Sequence, residues 1–178
     1  MRAERMRKAQ INSQVLVYIL AIVITAIILI YGYKAINDIR ERANTIELIT
    51  FKSDVRSAIG TISSDYGSTR AKVFKMPTGF SELCFVNYEF QPNEAFAEVP
   101  NTLSSEYRLI KDRISSVMYD RAEPMNAFLC PTCKEQDYVG NISLLDETGS
   151  EVAFRCFKPS GGSLRLTLEG RGDRTQIS

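Results

Sequence analysis

The sequence predicts an α+β protein: a long N-terminal helix, first transmembrane and then amphipathic, followed by a mostly antiparallel β-sheet head with one inserted helix. Three observations carry that expectation. No charged residue lies between Ile11 and Tyr33, a run of about 23 residues. From Lys34 the apolar residues recur at three and four places, and no proline occurs before Ser64. After Ser68 the apolar period falls to two, and turn residues punctuate the chain.

The apolar run comes first. A bilayer core of roughly 30 Å needs about 20 apolar residues as a helix, so the run is long enough to span it. The apolar core of a secretory signal is usually about 7–15 residues and ends in small residues. Here the run ends in Ile28-Leu29-Ile30-Tyr31-Gly32-Tyr33 with no A-x-A pattern, which sets an ordinary cleaved signal aside. The tail before the run carries Arg2, Arg5, Arg7 and Lys8 against Glu4 alone, whereas Lys34 and Arg40 beyond it are offset by Asp38 and Glu41. The excess of bases predicts a cytoplasmic N-terminus and an extracytoplasmic remainder. Tyr18, Tyr31 and Tyr33 suit the two membrane interfaces. The expected organisation is a basic tail over 1–14, a membrane helix over 15–33 facing the lipid bilayer, an amphipathic continuation over 34–64 and a head over 65–178.

Charge and composition exclude several functions. Setting aside the tail's four bases and one acid leaves 18 basic and 20 acidic residues, a balance of −2. A nucleic-acid partner would want a basic face, so none is expected. The chain has no histidine. That removes Ser-His-Asp and Cys-His catalysis and any histidine-ligated metal. No Walker A loop or dinucleotide fingerprint occurs. No catalytic residues, no metal and no cofactor are expected, and the chain reads as a non-enzyme.

In the amphipathic part, Ile36, Ile39, Ala43, Ile46 and Ile49 form a stripe that Val55, Ile59 and Ile62 resume. Asp38, Arg40, Glu41, Arg42, Lys52, Asp54 and Arg56 lie off it. The simplest reading is one helix from about Asn12 to about Ser64, roughly 75 Å long. The alternative is two helices broken at Gly32. Ser63-Ser64-Asp65-Tyr66-Gly67-Ser68 supplies the stop, with Gly67 near the C-cap position.

Thr69 to Met76 reads as a strand, Pro77-Thr78-Gly79 as a turn and Phe80 to Phe90 as a second strand, together a hairpin. Gln91 to Asn101 reads as a loop. Ser104 to Tyr119 reads as a helix with Tyr107, Ile110, Ile114, Val117 and Met118 on one face. Strands follow at Tyr138 to Leu145, Glu151 to Phe157 and Ser163 to Glu169. They are divided by Asp146-Glu147-Thr148-Gly149 and Pro159-Ser160-Gly161-Gly162. Leu164, Leu166 and Leu168 alternate with Arg165, Thr167 and Glu169, the pattern of a strand buried on one face.

That order of elements resembles the type IV pilin architecture, and the N-terminus resembles an archaeal class III signal peptide. Such leaders are cut after a small residue that follows a base, just before an apolar run that the mature chain keeps. Lys8, Ala9, Gln10 and Ile11 fit that junction, with the cut between Ala9 and Gln10. Gln10-Ile11-Asn12-Ser13-Gln14 resembles the archaeal Q-x-S-x-E start, with Asn12 where serine is usual and Gln14 where glutamate is usual. The resemblance implies a prepilin-type peptidase and other pilin-like subunits as partners. The missing glutamate favours a minor pilin or pseudopilin over a major subunit. Alternatives from other classes are a permanently anchored single-pass binding module and a Cys-based redox or zinc-binding domain.

The four cysteines are Cys84, Cys130, Cys133 and Cys156. An even count in an exported domain favours disulfides, and four cysteines allow three pairings. Cys84 and Cys156 lie in strand-like runs. Cys130-Pro131-Thr132-Cys133 reads as a loop that either closes on itself or reaches elsewhere. A redox role for that motif wants a βαβ context that is absent here. Zinc ribbons carry two Cys-x-x-Cys pairs, and this chain has one. Asn141-Ile142-Ser143 is a glycosylation sequon. Arg171-Gly172-Asp173 spells an adhesion tripeptide, in a polar tail where chance is the plainer reading.

Overall fold

A computed structural model describes residues 13–90, 107–120 and 122–178. Helix α1 spans Ser13–Ser63 and runs through Gly32 without a break. Among the described residues nine strands follow: β1 (Thr69–Lys75), β2 (Glu82–Val86), β3 (Ala127–Cys130), β4 (Glu135–Asp137), β5 (Ile142–Leu145), β6 (Glu151–Val152), β7 (Phe154–Phe157), β8 (Ser163–Gly170) and β9 (Thr175–Ile177). Helix α2 (Arg108–Asp120) lies between β2 and β3 in the chain. The class is therefore α+β, with one long apolar N-terminal helix ahead of a mostly antiparallel β region. The chain divides into two compact units, one reaching to Ala43 and one from Asn44 to Ser178. In the first, the side chains from Val15 to Ala43 are exposed.

The second unit is built on two sheets. One has the strand order β1-β8-β9-β5-β6 and the other β4-β3-β2-β7. Among these strands every pair is antiparallel except β5 with β9. The C-terminal part of α1 belongs to this unit. Phe51, Val55, Ile59 and Ile62, spaced four, four and three apart, are buried among Leu164, Leu166, Leu168, Leu144 and Ile177. Each such side chain contributes about 1.5–3 kcal/mol by leaving water. Phe51 also meets Phe74 edge to face, with centroids 6.3 Å apart.

The expected stripe on α1 is therefore only partly correct. Ile46 and Ile49 remain exposed, as do Ile36 and Ile39. At about 100° per residue, Ile46 and Ile49 fall on the opposite side from Phe51, Val55 and Ile62. The core face is set by Phe51, which lay outside the sequence pattern.

The expected hairpin of β1 with β2 does not form. β1 pairs with β8 over seven residues, and β2 sits in the other sheet between β3 and β7. The physical reason lies in β2 itself. Its Leu83 and Phe85 enter the core that α1 covers, while Cys84 and Val86 enter a second cluster with Ile110 and Ile114 of α2. A strand apolar on both faces wants a central place with cover on each side. β1 is largely exposed and carries Arg70, Lys72 and Lys75, so it suits an edge.

Three strands escaped the sequence reading: β3, β4 and β9. Cys130 thus ends a strand rather than lying in a loop. The strand expected over Glu151 to Phe157 is split at Ala153, and its halves serve different sheets. The tail past Glu169 is not free, because β9 pairs with both β8 and β5.

The end of α1 shows how the head closes. A helix leaves its last carbonyls without partners. Here the C-terminal segment supplies one partner, Gly172 N donating to Ser63 O at 2.8 Å, and it ties onto the turn before through buried Thr175 Oγ1, which donates to Ile59 O at 2.8 Å. Gly67 takes a positive φ of 76°, and its N–H donates to Gly170 O at 2.8 Å. Two ion pairs join α1 to β4, Lys52 with Glu135 at 2.6 Å and Arg56 with Asp137.

Candidate functional site

Two regions carry chemistry. The first is the apolar part of α1. It is long and apolar enough to cross a membrane. Thr25 Oγ1 donates to Ala21 O at 2.8 Å, so its hydroxyl is satisfied inside the helix. Lys8, Ala9, Gln10 and Ile11, the expected processing site, lie outside the described residues.

The second is a layer of sulfur on one face of the β4-β3-β2-β7 sheet. Along β2, alternate residues share a face. Glu82, Cys84 and Val86 therefore point the same way, toward α2. Cys84 stands directly opposite Cys156 of β7, with Cα atoms 3.9 Å apart, and the two are joined by a disulfide. Glu82 stands opposite Cys130 of β3. Cys130 is bridged to Cys133 across the Cys-Pro-Thr-Cys turn, where Cys133 takes a φ of 52°. All four cysteines are thus paired. Cys84, Cys130 and Cys133 are buried, and Cys156 on the sheet's edge strand is half-buried.

Glu82 was missed by the sequence reading. It is only 4 % exposed. Its Oε1 accepts a hydrogen bond from Tyr107 Oη at 2.9 Å, while its buried Oε2 has no partner among the described residues. The signal for it was present: a single acid opening the apolar run Leu83-Cys84-Phe85-Val86. A carboxylate of Glu82 and the sulfurs of Cys84 and Cys156 lie within 4.8 Å of one another.

The remaining motifs fall elsewhere. Asn141 is exposed at the start of β5, and its Oδ1 accepts from Tyr138 Oη at 2.9 Å. It borders a recess of about 130 Å³ that Tyr88 and Pro124 also line. The Arg171-Gly172-Asp173 triplet is occupied internally. Arg171 pairs with Glu169 at 3.4 Å and donates to Gln176, while Asp173 pairs with Arg174 at 3.0 Å. An open groove of about 330 Å³ runs between α1 and β1, lined by Asp54, Ser57, Thr61, Arg70 and Lys72 among others. Arg70 there pairs with Asp65 at 3.6 Å.

At the turn before β2, Glu47 of α1 accepts from Thr78 N at 3.3 Å and Thr78 Oγ1 at 3.2 Å, and pairs with Lys75 at 2.9 Å. The Lys75 ammonium, aided by the Thr78 amide, holds the Glu47 carboxyl below its ordinary 4.5. These contacts lock a turn; they do not assemble reacting groups.

No protein-family model matches the chain, and no curated protein or solved structure matches it.

Proposed function

We propose that the chain is a membrane-anchored, pilin-like structural protein of the cell surface, a minor pilin or pseudopilin assembled through its N-terminal helix. The observation that carries this reading is the apolar run of about 23 residues, preceded by Lys8-Ala9 and continuous in one helix with residues of the head's core. The tail's basic excess supports a cytoplasmic N-terminus and an extracytoplasmic head. Two disulfides in the head accord with an oxidising exterior.

The physical logic follows from the stem. An exposed apolar helix has two stable surroundings, lipid or a bundle of like helices. Assembly exchanges one for the other, and small residues such as Ala21, Ala26 and Gly32 let helices approach closely. The prepilin-type peptidase and neighbouring pilin-like subunits are the partners of this reading. Gln14 in place of glutamate favours the minor role.

Intact mass of the protein from its native membrane tests the proposal. A chain beginning at Gln10 is the expected result. A chain beginning at Met1 would sink it and leave a permanently anchored binding module.

A further inference from the structure

The buried corner at Glu82 has a use that the proposed anchoring role leaves unassigned. Glu82 Oε2 has no donor among the described residues, and an unmatched buried carboxylate oxygen is costly, so native proteins keep few of them. This one lies beside two sulfurs on the same face of a rigid sheet. We propose that reduction of Cys84–Cys156 converts this corner into a binding site for a thiophilic divalent cation of the zinc type. Its protein ligands are the Glu82 carboxylate and the Cys84 and Cys156 thiolates.

The chemistry balances simply. A dithiol reductant supplies two electrons. The Cys84–Cys156 bond breaks, two thiols form, and the donor becomes a disulfide. Binding the cation then expels the two thiol protons to solvent. Two thiolates and one carboxylate form a set that suits zinc rather than magnesium or calcium. With metal–sulfur bonds near 2.3 Å and metal–oxygen bonds near 2.0–2.2 Å, tetrahedral ligand atoms sit about 3.5–3.8 Å apart. The three atoms already lie within 4.8 Å of one another, so freed sulfurs need only a small adjustment.

The surroundings fit such a site. Tyr107 Oη holds Glu82 through Oε1, which orients the carboxylate and leaves Oε2 for the cation. Cys156 is half-buried on edge strand β7, and that side gives the ion its entry and a fourth position for water. Cys130 and Cys133 are not needed. In the oxidised form the two sulfurs bond each other, and the site does not exist. Binding is thus gated by the redox state of one disulfide.

The test uses the full chain in detergent, reduced with a phosphine, which leaves as its oxide. Cobalt(II) is titrated in and then displaced by zinc. The expected result is one cobalt per chain with a two-thiolate charge-transfer band. The band should persist in C130A/C133A and be absent from the oxidised protein. Glu82→Gln should weaken binding at least about tenfold, the lower end of what is lost even when a group that merely supports a ligand is removed. Near-UV circular dichroism of the reduced chain, before and after metal, reports on the fold without reference to the ligands. No band on reduction, equal affinity in E82Q, a four-thiolate spectrum lost in C130A/C133A, or a reduced head that has unfolded would each overturn the proposal. Should C130A/C133A fail to fold, the comparison of E82Q with wild type decides alone.

Discussion

One substitution, glycine to alanine, is expected to have opposite effects at two glycines near the end of α1: Gly60 within the helix, and Gly170 at the end of β8, which packs against it. A Cβ added at Gly170 would stand 2.1 Å from Ile62 O and 2.2 Å from Asp65 O. Both are backbone atoms, so relief needs the end of β8 to withdraw from the end of α1 by more than about 1 Å to regain ordinary contact. Three backbone hydrogen bonds cross that junction: Gly67 N to Gly170 O at 2.8 Å, Gly170 N to Ser68 O at 2.9 Å, and Gly172 N to Ser63 O at 2.8 Å. An opening of about 1 Å takes each beyond normal hydrogen-bond length. At about 1 kcal/mol apiece, Gly170→Ala should cost about 3 kcal/mol. Gly60, within α1, meets nothing within 4 Å. There alanine removes only glycine's excess freedom, so Gly60→Ala should stabilise by about 0.5–1 kcal/mol. Thermal unfolding of the full chain, followed by circular dichroism, should show a fall of roughly 10 °C for the first and a small rise for the second. Equal signs, or a Gly170→Ala protein within about 1 kcal/mol of wild type, would refute the reasoning.

Other predictions concern the cross-links, a turn and the surface. The Cys84–Cys156 bridge closes a sequence separation of 72, and Cys130–Cys133 one of 3. Loop-closure entropy then makes C84A/C156A cost about 4 kcal/mol and C130A/C133A about 2 kcal/mol; the reverse order in urea midpoints would show that loop length does not govern. Glu47 titrates low in the folded protein, so its contacts contribute fully above its unfolded value and are lost as pH falls through its folded one. Lys75→Met should raise the Glu47 midpoint, read by carboxyl NMR, and an unmoved midpoint would remove Lys75 as the cause. Given an extracytoplasmic head, Asn141 should carry glycan in the native membrane protein. Ser143→Ala should then lower the intact mass by that glycan as well as by the one oxygen of the lost hydroxyl, while leaving Asn141 in place, and masses that differ by that oxygen alone would contradict this.

Local chemistry was enough to read the long helix, its stop near Ser63, the turns at Asp146 and Gly161, and the alternating strand at Ser163 to Glu169. Each rests on spacing within a few residues. Asp146, for example, binds Thr148 N and Ser150 N itself, so its turn needs no distant partner. Short strands such as β4 and β9, of three residues each, carry too few positions for a period to register. The pairing of strands was also beyond sequence reasoning. Pro77-Thr78-Gly79 looks like a hairpin turn, yet it links two different sheets, because cover on both faces of β2 outweighs proximity along the chain.

What the sequence by itself determined is the apolar stem, the asymmetry of charge about it, the α+β order and the residue types available for chemistry, since these depend on composition and period alone. Tertiary structure decided which cysteines meet, which face of α1 enters the core, and that Glu82 lies buried beside Cys84 and Cys156. Those outcomes depend on strand register across separations such as the 72 residues from Cys84 to Cys156, where packing of both sheet faces chooses among pairings that are locally equivalent.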